Sequence, residues 1–163
     1  MMRTDRTRLV AVLGFLVVLH FALRPRLGWG QVAPDFLVLA LLLYAIRSRP
    51  GRAAVAGFAA GFLLDALVPA RFGAAALAHT VVGYLAAWGR AVFFPDNLFV
   101  NGAVIAVGVW LRNAIVLLAS GGSAGAMGMQ LFVWSPLQAL TTAAAGALVL
   151  LVFRDWLDIR LEA

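Results

Sequence analysis

Six stretches of almost uninterrupted apolar residues decide what this chain can fold into. A helix needs about 20 apolar residues to cross a bilayer, and somewhat shorter stretches are also tolerated. The predicted spans are residues 9–23, 32–46, 53–68, 72–88, 98–119 and 130–153. The connectors between them are short and rich in turn-forming residues, which leaves no room for a second, soluble domain. We therefore expect an all-α membrane protein in which residues 1–163 form a single integral membrane domain of six transmembrane helices.

The composition favours the same class. Apolar residues make up 64% of the chain and charged residues only 12%, whereas a soluble domain is about half apolar and about a quarter charged. The chain has no cysteine, which excludes disulfides and thiolate metal sites. Its net charge of +6 comes from arginines near the ends of the spans. This placement is typical of membrane anchoring rather than of nucleic-acid binding.

The arginines also predict the orientation of the spans. With the N-terminus in the cytoplasm, nine arginines fall on the inner side and three, Arg24, Arg26 and Arg71, on the outer side. Positive residues prefer the cytoplasmic side of a membrane. We therefore expect both termini to be cytoplasmic and the protein to be a multi-pass component of a bacterial inner membrane.

The third and fourth spans each carry a stripe of small residues with one polar residue, spaced four apart and therefore on one face of the helix. The two stripes are Ala53, Gly57, Gly61 and Asp65, and Ala75, His79, Gly83 and Ala87. Small residues allow helix backbones to approach closely in lipid. Because the connector between the two spans is short, Gly57, Gly61 and Gly83 predict a closely packed helical hairpin.

Most polar residues within the spans are predicted to lie in the outer half of the membrane. The depths follow from a rise of about 1.5 Å per helical residue. The set comprises Asp35, Asp65, His79, Arg112, Asn113 and Gln138. An aspartate facing lipid costs about 2.5 kcal/mol or more, so Asp65 is expected to face protein.

Arg112 requires a counter-charge, and Asp35 and Asp65 are both candidates. Asp65 is expected to organise the outer end of the hairpin by pairing with either Arg112 or Arg71. The polar residues either satisfy one another and fix helix packing, or they line an outward-facing cavity or the docking surface of a partner. The sequence leaves both possibilities open.

No convincing catalytic or metal-binding pattern is present. The sequence GGSAG, residues 121–125, fits the GxSxG pattern of hydrolases. That pattern requires a strand-to-helix turn and a positioned base, whereas this copy lies in a glycine-rich outer connector. His20 and His79 lie on different spans without a second ligand at metal-binding spacing. We expect no catalytic residue, no metal and no cofactor.

Residues 33–90 resemble the core of the rod shape-determining protein MreD family. The motifs are Pro34-Asp35-Phe36 opening a span, the arginine-rich loop 47–52, a glycine-containing span ending in Leu64-Asp65, and Gly83-Tyr84-Leu85. The late aromatic segment LFVWSPLQAL agrees with the resemblance. The connector VPARFG differs from the serine- and glycine-rich turn that the family pattern leads us to expect.

The resemblance implies a non-catalytic component of the bacterial cell-elongation machinery. Such a protein would bind MreC, a scaffold with one membrane span. Through MreC it would be coupled to the RodA glycosyltransferase, to its penicillin-binding transpeptidase and to the actin-like MreB filament, and it would help to regulate peptidoglycan synthesis. The implied fold is a bundle similar to the S-components of energy-coupling-factor transporters, with Asp65 at the outward-facing end of the third span.

That similarity of fold leaves a second function open. An S-component-like subunit could bind a vitamin-like molecule in the same outer cavity for uptake. Fold alone does not separate a scaffold from a transport subunit. Vitamin sites usually combine aromatic walls with a few convergent polar groups, and the outer half of this chain holds few aromatic residues beyond Phe72, Phe132 and Trp134. The sequence therefore favours the scaffold.

Overall fold

The computed structural model describes residues 3–69, 72–93, 98–121 and 124–153, and all of their regular elements are helical. The prediction of an all-α protein is confirmed. The helices are α1 Arg3–Ala22, α2 Phe36–Ala45, α3 Pro50–Leu67, α4 Ala74–Phe93, α5 Leu98–Ser120, α6 Ala124–Met129 and α7 Ser135–Val152. Two 3-10 turns, Arg24–Arg26 and Gly30–Val32, lie between α1 and α2.

Three helical segments of the described residues have the length and composition needed to cross a membrane. They are Thr7–Arg26, Phe99–Ser120 and Gly125–Val152. Gly30–Ala45 and Ala74–Gly89 are apolar but shorter. Only 22% of each of the first two segments is buried inside the bundle, so most of their apolar surface requires cover from lipid or from another protein.

Helix α2 is the centre of the bundle. Nine of its ten residues are buried, and a helix that is apolar on every side is stable only when it is surrounded. Leu16 of α1, Val82 of α4 and Val109 of α5 belong with α2 to one core cluster. The position of α2 means that polar groups at its ends are also enclosed by neighbouring helices.

Helices α3 and α4 form a tight hairpin whose contact is made by main-chain atoms. The residues of α3 that are buried are Ala53, Gly57, Gly61 and Asp65, which are the predicted small stripe. A Cβ atom added to Gly57 would collide with the carbonyl of His79, and one added to Gly61 with the carbonyl of Ala75. Only glycine permits this separation of the two backbones.

The last span differs from its prediction at its start. Part of the predicted connector is helical, because α6 begins at Ala124 and continues through a π-helical turn, Gln130–Trp134, into α7. Pro136 lies in the first turn of α7 and has no N–H to donate to the preceding turn. A local widening of the helix accommodates that missing bond. Ser123, the serine of the GGSAG sequence, lies outside the described residues.

Replacing Gly57 by alanine should destabilise the protein, because the new methyl group meets the main chain of α4. Overpacking of this kind costs about 1–3 kcal/mol. Gly14→Ala in α1 is the matched control, since a Cβ there has no neighbour within 4 Å. Thermal unfolding in mild detergent, followed by circular dichroism, should give a lower melting temperature for Gly57→Ala alone. Equal melting temperatures would contradict the close packing of α3 against α4.

Candidate functional site

Polar side chains converge at one end of the bundle. Helices α1, α3 and α5 approach this end with their C-terminal parts, whereas α2, α4 and α7 approach it with their N-terminal parts. We call it the polar end. The buried polar residues found there are His20, Asp35, Asp65, His79, Asn113, Ser135, Gln138 and Thr142.

Asp35 is the N-cap of α2 and the most highly connected of these residues. Its Oδ1 atom accepts a hydrogen bond from Val38 N at 3.1 Å, which satisfies one of the free N–H groups of the first helical turn. Its own main-chain N–H donates to Thr142 Oγ1 at 3.0 Å. The side chain is 1% exposed. Its charge therefore requires compensation by protein groups.

Two side chains supply that compensation. Arg112 Nη2 lies 3.8 Å from Asp35 Oδ2. The Nδ1 atom of His20 lies 3.3 Å from Asp35 Oδ1 and 3.2 Å from Leu37 N. The tautomer of His20 decides whether Nδ1 donates to the carboxylate or accepts from Leu37. In either case the N-terminus of α2 is held by residues from α1 and α5.

A chain of side-chain hydrogen bonds extends from Arg112 to α7. Arg112 Nη1 donates to Asn113 Oδ1, and Asn113 Nδ2 donates to Gln138 Oε1, both at 2.8 Å. Gln138 Nε2 then donates to the carbonyl of Ala33 at 3.2 Å. These bonds attach α5 and α7 to the segment that leads into α2.

Asp65 has different hydrogen-bond partners from those expected. Its Oδ1 accepts from Ala75 N at 3.0 Å and its Oδ2 from Ala76 N at 2.8 Å. The carboxylate of α3 therefore caps the N-terminus of α4, where the helix dipole also favours a negative charge. The expected pair with Arg112 is replaced by these bonds, and Arg112 is paired with Asp35 instead. Arg71, the other predicted partner, lies outside the described residues.

The turn between α3 and α4 explains why Asp65 reaches those N–H groups. Gly73, immediately before α4, has a φ of 96°, a left-handed conformation that glycine adopts readily. The chain reverses there and brings the first turn of α4 over the last turn of α3. Asp65 consequently organises the end of the hairpin through main-chain atoms.

His79 is completely buried on α4, at 0% exposure. Its Nδ1 lies 2.8 Å from the carbonyl of Ala75. Because a carbonyl only accepts, Nδ1 carries the proton and donates. Nε2 is buried and has no hydrogen-bond partner among the described residues.

A cavity of about 690 Å³ opens between α1, the α3–α4 hairpin and α5 at the polar end. Its polar lining includes His20, Arg24, Asp65 and Arg112. A volume of this size is within the range of small-molecule sites. The described polar residues therefore bind one another, and some of them also line this cavity. That the cavity faces outward stays a prediction.

His20 and Thr142 belong to this site although they are not among the polar residues predicted from the sequence. Thr142 lies one helical turn after Gln138 and donates to its carbonyl at 2.7 Å while accepting from Asp35 N. The spacing of four residues between Gln138 and Thr142 places both on one face of an apolar helix, and this pattern could have identified Thr142 from the sequence. His20 is a single polar residue in an apolar span, and its depth matches that of Asp35 across the short connector.

Comparison with known proteins decides the family. The model of the rod shape-determining protein MreD matches residues 2–155. The chain belongs to the MreD family. No significant match to a curated protein or to a solved structure was found.

Membership in the MreD family assigns this membrane protein a role in rod shape determination. The family is a shape-determining component rather than a class of enzymes. The resemblance seen in residues 33–90 is confirmed and extends over nearly the whole chain. In this MreD-family chain, two motif residues of that segment, Asp35 and Asp65, cap the N-termini of α2 and α4.

Replacing Asp65 should reduce stability in proportion to the acceptors that are lost. Asp65→Leu leaves the N–H groups of Ala75 and Ala76 without partners, and each such buried group costs about 1–3 kcal/mol. Asp65→Asn retains one acceptor oxygen and should be intermediate. Melting temperatures in mild detergent should follow the order wild type, Asn, Leu. A leucine variant as stable as the wild type would show that the cap is dispensable.

Proposed function

We propose that this chain is a non-catalytic scaffold of the bacterial cell-elongation machinery. It binds an MreC-like protein with one membrane span, and through that protein it helps to regulate the RodA glycosyltransferase and its penicillin-binding transpeptidase and is coupled indirectly to the MreB filament. The observation that carries the proposal is the match of the MreD family over residues 2–155. The proposal includes an inner-membrane location, six spans, cytoplasmic termini and an outward-facing polar end.

The apolar surface of the bundle supports a partner within the membrane. A groove of about 440 Å³ lies between α4 and α5 and is almost entirely apolar. Small residues, among them Ala86, Gly89 and Ala103, line part of it. Small residues let a further helix approach closely, and packing rather than hydrophobicity drives helix association in lipid. We propose this groove as the position of the membrane span of the MreC-like partner.

The second candidate function is uptake of a small molecule by an S-component-like subunit. The cavity of about 690 Å³ at the polar end favours it, since such a site needs a volume of this order. Family membership favours the scaffold. The two functions predict different co-purifying proteins. A scaffold should co-purify with an MreC-like protein, and an uptake subunit with a transporter ATPase.

Co-expression with the MreC-like protein of the same organism should give a complex of fixed ratio in mild detergent, measured by size-exclusion chromatography with light scattering. Ala103→Phe, which fills the groove between α4 and α5, should weaken co-elution at least about tenfold, as expected for a lost packing contact of ~1.4 kcal/mol. Ala119→Phe is the control, because Ala119 lies exposed on the same helix and outside the groove lining.

Three outcomes would count against parts of this account. Equal co-elution of both phenylalanine variants would reject the groove and leave the scaffold role intact. Failure of the wild-type chain to co-elute with the MreC-like protein would reject the scaffold. Recovery of transporter ATPase subunits with the wild-type chain would support uptake instead.

A further inference from the structure

The cavity at the polar end contains cationic groups that the described residues leave unsatisfied. Arg24 and Arg112 both line it. The Nε atom of each is buried and has no hydrogen-bond partner among the residues that the structure describes. A guanidinium N–H that is removed from water without a partner is costly. Two arginines that are incompletely hydrogen-bonded by the protein therefore line one cavity.

The carboxylates near the cavity are already engaged. Both oxygens of Asp65 accept from main-chain N–H groups of α4. Asp35 lies outside the cavity lining, and its contacts are with Arg112 and His20. Within the described ranges, no carboxylate lies within salt-bridge distance of Arg24. Arg24 is therefore a cavity-lining cation without a directly contacting carboxylate in the described part of the chain.

The remaining walls of the cavity are apolar. Phe21 of α1, Leu64 and Leu67 of α3, and Val68 line it together with Val116 of α5. Phe21, Leu67 and Val68 are among the exposed large hydrophobic residues of the bundle. A fully hydrated inorganic ion would leave these walls uncovered. An anion attached to a hydrocarbon chain would bind the arginines and also cover the apolar walls.

We propose that this cavity binds an amphiphilic oxyanion, a phosphate or carboxylate group attached to a hydrocarbon portion. The guanidinium groups of Arg24 and Arg112 bind the anionic oxygens, since both residues line the cavity and arginine offers N–H groups that suit phosphate and carboxylate. The hydrocarbon lies against Leu64, Leu67 and Val68. The anionic group is supplied either by the phosphate of a membrane lipid or by a small soluble amphiphile. The site requires no partner protein.

The test uses the full chain in dodecyl maltoside and three probes. Dioleoyl phosphatidylglycerol carries an anionic phosphate, dioleoylglycerol has the same chains without a phosphate, and octyl phosphate is a soluble amphiphile. Native mass spectrometry and the shift in melting temperature report binding. We expect the phosphatidylglycerol to bind at least about tenfold more tightly than the dioleoylglycerol, because only the former offers an acceptor for a charge-assisted hydrogen bond.

Arg24→Gln should remove this preference to within about twofold, because the charge-assisted bond that gives the anionic lipid its advantage is lost. Arg26→Gln is the matched control, because Arg26 is an exposed arginine of the same 3-10 turn and is outside the cavity lining. It removes the same charge and should retain the preference. Displacement of the phosphatidylglycerol by octyl phosphate would identify a soluble amphiphile as sufficient, and binding of the lipid alone would identify the lipid phosphate.

Equal affinity of the wild-type chain for the two lipids, together with no binding of octyl phosphate, would overturn the proposal. This comparison needs no variant and stays decisive if Arg24→Gln fails to fold. Equal loss of preference in Arg24→Gln and Arg26→Gln would also overturn it, since that result describes a general surface charge. Neither result bears on the co-elution of the chain with an MreC-like protein.

Discussion

The capped N-terminus of α2 is the constraint on which the rest of the bundle depends. Because α2 is buried on nearly every side, water cannot satisfy the polar groups at its start. Asp35 accepts a hydrogen bond from Val38 N, Arg112 balances its charge, and His20 Nδ1 lies 3.3 Å from its Oδ1. The N-terminus of α2 thereby determines where α1, α5 and α7 lie. Asp65 performs the equivalent task for α4 from the neighbouring helix α3.

The periodic features of this fold could be predicted from the sequence, and the features that depend on main-chain atoms could not. The α3 stripe of Gly57, Gly61 and Asp65 follows from helix geometry, and all three are buried. The partner of Asp65 is a pair of main-chain N–H groups, which no residue type reveals. Glycines in the segment from Ala124 favour a connector on local propensity, whereas the chain is helical there although none of residues 125–129 is buried.

At the polar end of this shape-determining membrane protein, side-chain bonds join the helices and a cavity lies open beside them. The ion pair and the hydrogen bonds from Arg112 through Asn113 to Gln138 join the helices, while Arg24 and Arg112 line a cavity. A lipid or amphiphile bound there would contact α1, α3, α4 and α5 together. The proposed scaffold role and the proposed anion site therefore concern different surfaces, since the groove for the partner lies between α4 and α5 and is almost entirely apolar.

The most direct measurement is a double-mutant cycle on the Asp35–Arg112 pair, read as free energy of unfolding in mixed detergent micelles. Asp35→Asn retains a good N-cap, so its effect reports the charge. Each single variant leaves a charge without its partner and should lower the free energy of unfolding by about 3 kcal/mol. The loss in the double variant should be smaller than the sum of the two single losses by about 1–3 kcal/mol. Additive costs would show that the pair does not hold α5 against α2 and would contradict the account.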